Sequence, residues 1–295
     1  MALIRALQVP GFGLASLFAL LAGAPSLVPA PVRAQETLPE TEVEQEGLAK
    51  KPKPGEWSVT LGAGIASVPR YQGAATSRLK LVPLVSIRYD DMFFGPFGLG
   101  CSAINSGAFH AGPVLGYEGG RNERRDPELA GLGDIPSSVT GGAFASYRIG
   151  SFETLATVRQ ALTHSGNGLN GLVKFDYRVA IIPKQLDLRI GPHLEFANSR
   201  YEQTYFGVSP VQSAQSGYPV FAPGGGVKEV GFGASLTHFT TERFLLRAFA
   251  QVKRFTGDTA MSPIVERRTE SFVGIGAAYH FDAARGTSSD FGKGK

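Results

Sequence analysis

The sequence predicts an all-β fold, an antiparallel transmembrane β-barrel of about 12 strands with a range of 10–14. Three observations carry that expectation. First, between Leu169 and Ile181 the odd positions (Leu169, Gly171, Val173, Phe175, Tyr177, Val179, Ile181) are apolar, while the even ones include Asn170, Lys174, Asp176 and Arg178. Successive strand side chains point to opposite faces, so one face is greasy and the other charged. Second, the pattern repeats. Leu186, Leu188, Ile190, Leu194 and Phe196 oppose Asp187, Arg189, His193 and Glu195, and Phe244, Leu246, Ala248 and Val252 oppose Arg247, Gln251 and Lys253. Charge on strand after strand suits a polar lumen and is costly in a dry core. Third, the chain opens with an export signal.

That signal occupies residues 1–34. Arg5 gives a positive start, Gly13–Ala22 (GLASLFALLA) a short apolar run, and Val32-Arg33-Ala34 a small-x-Ala site cleaved between Ala34 and Gln35. The run is well short of the ~20 residues a membrane helix needs. No cysteine lies near the site, so it is not a lipoprotein signal. Residues 35–55 are acidic, then basic, with prolines and few large apolar side chains, the composition of a flexible periplasmic leader.

The barrel is expected over 56–281, with strands near 56–66, 79–90, 91–96, 98–104, 108–118, 138–149, 152–162, 169–182, 186–198, 228–238, 243–254 and 271–281, and a polar tail over 282–295. A bacterial barrel has an even strand number, short periplasmic turns and longer external loops. With the N-terminus inside, the long connections 67–78, 119–137, 199–227 and 255–270 all fall outside, and the short ones at 90–91, 150–151, 183–185 and 239–242 fall inside. Dividing 91–104 into two strands is what keeps this order. Loop 199–227, with Tyr201, Tyr205, Phe206, Tyr218 and Phe221, has enough aromatic surface to order itself over the mouth.

The remaining chemistry is spare. Removing residues 1–34 leaves 27 basic against 25 acidic side chains, so no nucleic-acid partner is implied. Cys101 stands alone and cannot form a disulfide within the chain. The five histidines show no metal-ligand spacing, and His193 beside Arg189 and Glu195 reads as part of a lumen salt-bridge network. Gly62/Gly64 and Gly231/Gly233 lie inside strands with no helix to cradle a phosphate. No catalytic, metal or cofactor site is expected. The candidate functional cluster is therefore the lumen charge: Lys174, Asp176, Arg178, Asp187, Arg189, His193, Glu195 and Arg247. At the closing seam, Gly62 and Gly64 should meet Gly274 and Gly276, leaving a smooth inner wall against which a loop or a side chain from the opposite wall packs.

The last strand alternates Val273, Ile275, Ala277, Tyr279 and Phe281 with Phe272, Gly274, Gly276, Ala278 and His280, ending in the aromatics Tyr279 and Phe281 as assembled outer-membrane strands tend to. Further segments are Gly62-Ala-Gly64 with Pro69-Arg-Tyr71-Gln-Gly73, Gly98-Leu-Gly100, Leu129-Ala-Gly131-Leu-Gly133-Asp134-Ile135, Tyr205-Phe-Gly-Val-Ser209 with Gln212 to Gly217, and Gly257-Asp258 with Ser262-Pro-Ile-Val265. Together they resemble the MipA/OmpV family over roughly residues 57–281. That resemblance implies a barrel in the outer membrane of a Gram-negative bacterium, in contact with lipid. It also implies partners: a lytic transglycosylase and a bifunctional murein synthase, brought together by a scaffold. Other members are described as porin-like or adhesive. A narrow pore with mild anion preference and a surface adhesin therefore stand beside the scaffold as expectations.

Overall fold

The computed structural model describes residues 54–283 apart from Phe97. The expected signal peptide with its Ala34–Gln35 junction, nearly all of the leader and the tail beyond Ala283 lie outside the described residues. Thirteen strand segments follow: β1 (Trp57–Pro69), β2 (Ser77–Tyr89), β3 (Met92–Gly95), β4 (Gly98–Cys101), β5 (Ile104–Ser106), β6 (Phe109–Glu118), β7 (Ser138–Ile149), β8 (Phe152–Ala161), β9 (Leu169–Ile182), β10 (Leu186–Ala197), β11 (Gly226–Phe239), β12 (Phe244–Phe255) and β13 (Thr269–Ala283). Each is antiparallel to its neighbours, and the sheet closes twice over. β1 pairs with β13, Val59 opposite Phe281 and Ile65 opposite Ile275. β4 pairs with β6, Leu99 opposite Leu115.

β4 and β5 lie in line along β6. Their registers, Leu99 with Leu115 and Ile104 with Ala111, differ by one residue, so a bulge joins them into a single stave. The result is a closed barrel of twelve staves, matching the sequence expectation in number, order and direction. The short turns gather at one end and the long connections at the other. Gly150 closes the two-residue turn after β7 with φ of 58°, a conformation that glycine adopts without steric cost.

The outer face is the apolar one. Phe175 is 51% exposed, and Val273, Ile275, Phe232 and Leu246 are similarly bare. At the short-turn end, Trp57 stacks near Tyr89 (centroids 4.7 Å apart), Phe152 near Tyr177 (4.8 Å) and Tyr279 near Phe281 (4.6 Å). Such a girdle marks a membrane–water interface. Among the described residues no helix is long and apolar enough to cross a membrane; the strands do so.

The glycine seam differs from expectation in two respects. Gly64 faces Gly276, but Gly62 faces Ala278 and Gly274 faces Ala66, so the four glycines are staggered. The wall is covered, yet not from across the barrel. The Phe249 ring of the adjacent β12 lies where a Cβ on Gly274 would point (2.3 Å), and the Leu84 side chain of β2 lies over Gly276 (2.8 Å). Both come from flanking strands because a side chain there can lean sideways over a bare neighbour. Around them Ala66, Val68, Val82, Leu245 and Phe272 form an apolar core inside the lumen, with Phe249 and Phe272 stacked at 5.2 Å.

Candidate functional site

The lumen is filled rather than hollow. Leu84 is 1% exposed and Phe249 3%, and Leu155, Thr157, Leu172 and His193 on other strands are also buried. A water channel would leave such inward-facing groups accessible. Phe93 and Phe144, edge-to-face at 5.1 Å, help close the middle beside Leu155. Barrels of eight strands are filled by side chains and those of sixteen hold channels. This barrel of twelve belongs with the filled ones.

The eight charged positions read from the sequence divide into two levels. Lys174, Asp176, His193, Glu195 and Arg247 are buried in the lumen, whereas Arg178 is half exposed at the short-turn mouth, where it pairs with Asp187. Arg189 at that level bonds Glu153 at 3.5 Å, and Arg148 meets the same carboxylate at 2.8 Å. Deeper in, Lys174 Nζ lies 3.5 Å from Asp176, His193 Nε2 is 3.0 Å from Gln251 Nε2, and Arg247 donates to Ser235 Oγ at 3.0 Å. Among the described residues no group of three or more His, Cys, Asp or Glu is arranged to hold a metal ion.

The densest network lies higher, and most of it is illegible from strand parity. Lys228 Nζ lies 2.5 Å from Glu195 and 3.6 Å from Glu229; Lys253 Nζ lies 3.0 Å from Glu229 and 3.5 Å from Glu270. Lys228 and Glu229 are consecutive, yet both point inward. The cause is a bulge: Glu195 pairs with Glu229 and Phe196 with Val227, leaving Lys228 as the extra residue. A strict alternation would send one of the pair into lipid. Buried charges of this kind persist only when paired and hydrogen-bonded. Here Asn170 also donates to Glu195 (3.3 Å), and Lys228 sits over the Tyr201 ring at 5.5 Å.

Tyr201 belongs to a cap over the long-loop end. Loop 199–227, expected to be ordered by its aromatics, folds into α1 (Ser199–Phe206) and α2 (Pro210–Ser216). Asn198 caps α1 by accepting from Tyr201 N, and Ser209 with Gln212 forms a reciprocal capping box on α2, with Pro210 at its start. That signal, Ser-x-x-Gln just after Gly207, is present in the sequence. Two apolar clusters hold the cap, one of Tyr71, Leu129, Leu132, Val208 and Ile264, the other of Ile135, Tyr205, Phe206 and Phe255. Polar ties join loop 67–78 to loop 119–137, and bind loops 119–137 and 255–270 to the cap. Arg70 pairs with Asp126, Gln212 donates to Leu132 O (2.6 Å), Thr259 donates to Glu202 (2.8 Å), and Ser262 donates to Phe206 O (2.6 Å). Burial pushes the Glu202 carboxyl up to about 7.

Cavities remain among the described residues. Beneath the cap lies one of about 100 Å³, lined by Arg78, Lys80, Glu118, Arg121, Tyr201 and Lys228 among others. Arg121 is 7% exposed; its Nη1 donates to Tyr205 O at 3.0 Å, while its Nε meets no partner among the described residues. Burial lowers its guanidinium to about 10, still charged at neutral pH. The second, about 420 Å³, is a vestibule at the short-turn mouth bounded by Asp90, Asp91, Asn105, His110, Arg148 and Glu153. Between them a smaller cavity of about 30 Å³ shares Arg159 with the one beneath the cap and Arg88, Phe93 and Phe144 with the vestibule.

Residues 61–281 match the family model described as MltA-interacting protein MipA. The chain belongs to the MipA family. It is an outer-membrane β-barrel protein, its closed sheet and bare apolar belt being the form that spans that membrane. Solved structures with a similar trace include a CymD monoaromatic hydrocarbon channel (8% identity, 79% of this chain and 89% of that one, TM-score 0.39) and Pseudomonas putida OprB (12% identity, TM-score 0.36). The OprB match covers 67% of this chain and 49% of that one, so this chain spans about half of OprB's length. A bacterial polysaccharide outer membrane secretin is similar over 76% of this chain and 98% of its own (10% identity, TM-score 0.37). No curated protein matches the chain.

Proposed function

We propose that this MipA-family barrel is a non-conducting, non-enzymatic interaction protein, whose periplasmic end holds murein-remodelling enzymes against the outer membrane. The observation that carries the reading is the filled lumen. A protein that transports needs a path, and the burial of the inward-facing Leu84, Phe249, Leu155 and His193 speaks against a wide one. What the molecule then offers is surface at its two ends. The family description names an interaction with MltA, and the resemblance supplies the partner class: a lytic transglycosylase and a bifunctional murein synthase.

The short-turn mouth suits a protein partner. Its vestibule of about 420 Å³ presents both signs of charge, Asp90 and Asp91 together with Arg148, and the half-exposed Arg178 pairs with Asp187 at the same mouth. Mixed charges at a rim steer encounter and fix orientation rather than supply most of the affinity. The test is reconstitution with the purified barrel immobilised in detergent. A lytic transglycosylase from the same cells should be retained, retention should fall with Arg148→Glu, and the synthase should be retained more strongly when both are present. Failure to retain either enzyme, together with a steady ion conductance, would replace the scaffold by a pore.

A further inference from the structure

Among the described side chains, the strands turn their lysines, arginines and carboxylates toward the lumen or its mouths with one departure. On β12, Arg247 and Lys253 follow the rule and are buried in the lumen. Arg254 does not. It follows Val252 on the outer face of β12 and is exposed there. An arginine on the lipid face is costly at the membrane midplane and nearly free of cost at its border.

Its height decides what it meets. Phe244, ten residues earlier on β12, lies opposite Tyr279 of the short-turn aromatic girdle. At about 2.4 Å of height per residue of a strand tilted ~45°, Arg254 stands ~24 Å above that level, at the upper border of the ~25 Å apolar band. Its guanidinium therefore meets the headgroups of the outer leaflet.

Two more arginines share this corner. Phe255 N donates to Arg268 O at 2.8 Å, which brings the exposed Arg268, and Arg267 before it, beside the end of β12. Arg267 N donates to Gly73 O at 3.0 Å, fixing the segment against loop 67–78. Among the described residues none of the three side chains has an ion pair or a side-chain hydrogen bond. The carboxylates of the same loops serve other donors: Glu266 accepts from Ala75 N (2.9 Å), Asp258 from Gly224 N (2.7 Å), and Glu270 from Gly73 N beside its pairing with Lys253. Like charges held side by side repel, and an anion placed among them removes that cost. The surface around them is layered as a lipid is. Thr269, opposite Arg254, and Ser271, opposite Val252, present exposed hydroxyls. Val230 beside them and Val252 and Val273 below are bare apolar side chains.

We propose that this corner of the rim, where β12 and β13 reach the long-loop end, is a docking surface for the phosphate headgroup of an outer-leaflet lipid. The phosphate oxygens take the N–H donors of Arg254, Arg267 and Arg268 and the hydroxyl of Thr269, and an acyl chain lies along Val252 and Val273. Guanidinium groups bind phosphate through charge-assisted, often bidentate hydrogen bonds. A phosphomonoester fits best, since its charge of about −1.5 to −2 answers three cations better than the single charge of a diester. The contact fastens to the outer leaflet the two strands that carry Phe249 and Phe272 of the lumen plug.

The test is quenching by brominated lipid of a tryptophan placed at the site. In a Trp57→Phe background, which removes the sole native tryptophan, Val252→Trp reports the lipid beside Arg254 and Phe175→Trp the lipid against β9. The full-length protein is refolded into phosphatidylcholine vesicles containing brominated phosphatidic acid or brominated phosphatidylcholine, and folding is checked by heat-modifiable gel migration. The Val252→Trp reporter should favour phosphatidic acid about fivefold or more, and the Phe175→Trp reporter should show no such preference. Arg254→Gln with Arg268→Gln should abolish the preference without impairing folding, because both side chains are exposed and unpaired; Arg254→Gln alone should reduce it. Excess inorganic phosphate should leave it unchanged. The same preference at both reporters, a preference that survives the double variant, or its loss to inorganic phosphate would overturn the proposal.

Discussion

Phe249→Ala is the perturbation that bears most directly on how the lumen is sealed. The ring is 3% exposed, stacks on Phe272 at 5.2 Å with an interplanar angle of 18°, and covers the bare backbone of Gly274. Phe→Ala in a core costs about 3–5 kcal/mol, of which a ~100 Å³ void contributes roughly 2.4 kcal/mol at ~24 cal/mol per Å³. Position within that range depends on whether the surroundings collapse. β12 is laddered to β11 and β13 along its whole length, so the wall cannot move in and the loss should fall near the upper end. Urea unfolding of the barrel refolded into phospholipid vesicles, followed by the fluorescence of the sole tryptophan, Trp57, reads it. Gly274→Leu, whose side chain collides with the ring, should also destabilise alone and regain stability when combined with Phe249→Ala. A loss below about 1 kcal/mol, the level of a surface change, would mean that water already surrounds the ring and that the sealed-lumen account is wrong.

Three further outcomes follow from the same geometry. Phe175→Arg places charge on the lipid face at a cost of about 2–4 kcal/mol; assembly, read by heat-modifiable gel migration, should suffer far more than with Arg178→Ala, and equal defects would mean the faces are exchanged. In a Cys101→Ser background, Val211→Cys on the cap should react with an impermeant maleimide on intact cells, and Lys184→Cys only after the outer membrane is breached. The reverse order would invert the topology. Glu202 sits under the cap with its carboxyl raised to about 7 by burial, above its ordinary 4.5. A raised carboxyl binds its proton more tightly in the folded state, so cap stability is greatest below pH 4.5 and falls as the pH rises to about 7. Hydrogen-exchange protection of residues 199–206, corrected for intrinsic rates, should show that decline, and Glu202→Gln should flatten it.

Much of the barrel was legible because its physics is local. The period-two alternation in Leu169–Ile181 fixes which face meets lipid, and the structure places Lys174 and Asp176 inward and Phe175 and Tyr177 outward. The strand number and the division of 91–104 followed from the requirement that the long loops share an end. The lumen was harder to read. Leu172, Leu245 and Phe249 share a face with Lys174, Arg247 and Gln251, so an inward face read as polar also carries the apolar plug. Lys228 and Glu229 escaped because a bulge suspends the alternation at the one point where two consecutive charges turn in. The cavity beneath the cap is assembled from β2, β6, β9, β11 and the long loops, a juxtaposition of distant segments that no local pattern encodes. The short β3–β4 hairpin is legible as two brief strands.

The central claim is that the barrel does not conduct, and a planar lipid bilayer tests it with one recording. The purified, refolded protein should insert without stepwise current at any moderate voltage, in either salt gradient. Phe249→Ala serves as the sensitised control, since removing the plug should permit brief openings. Steady unitary steps from the unmodified protein, with a reversal potential favouring anions, would contradict the account and make the basic lumen a conduction path.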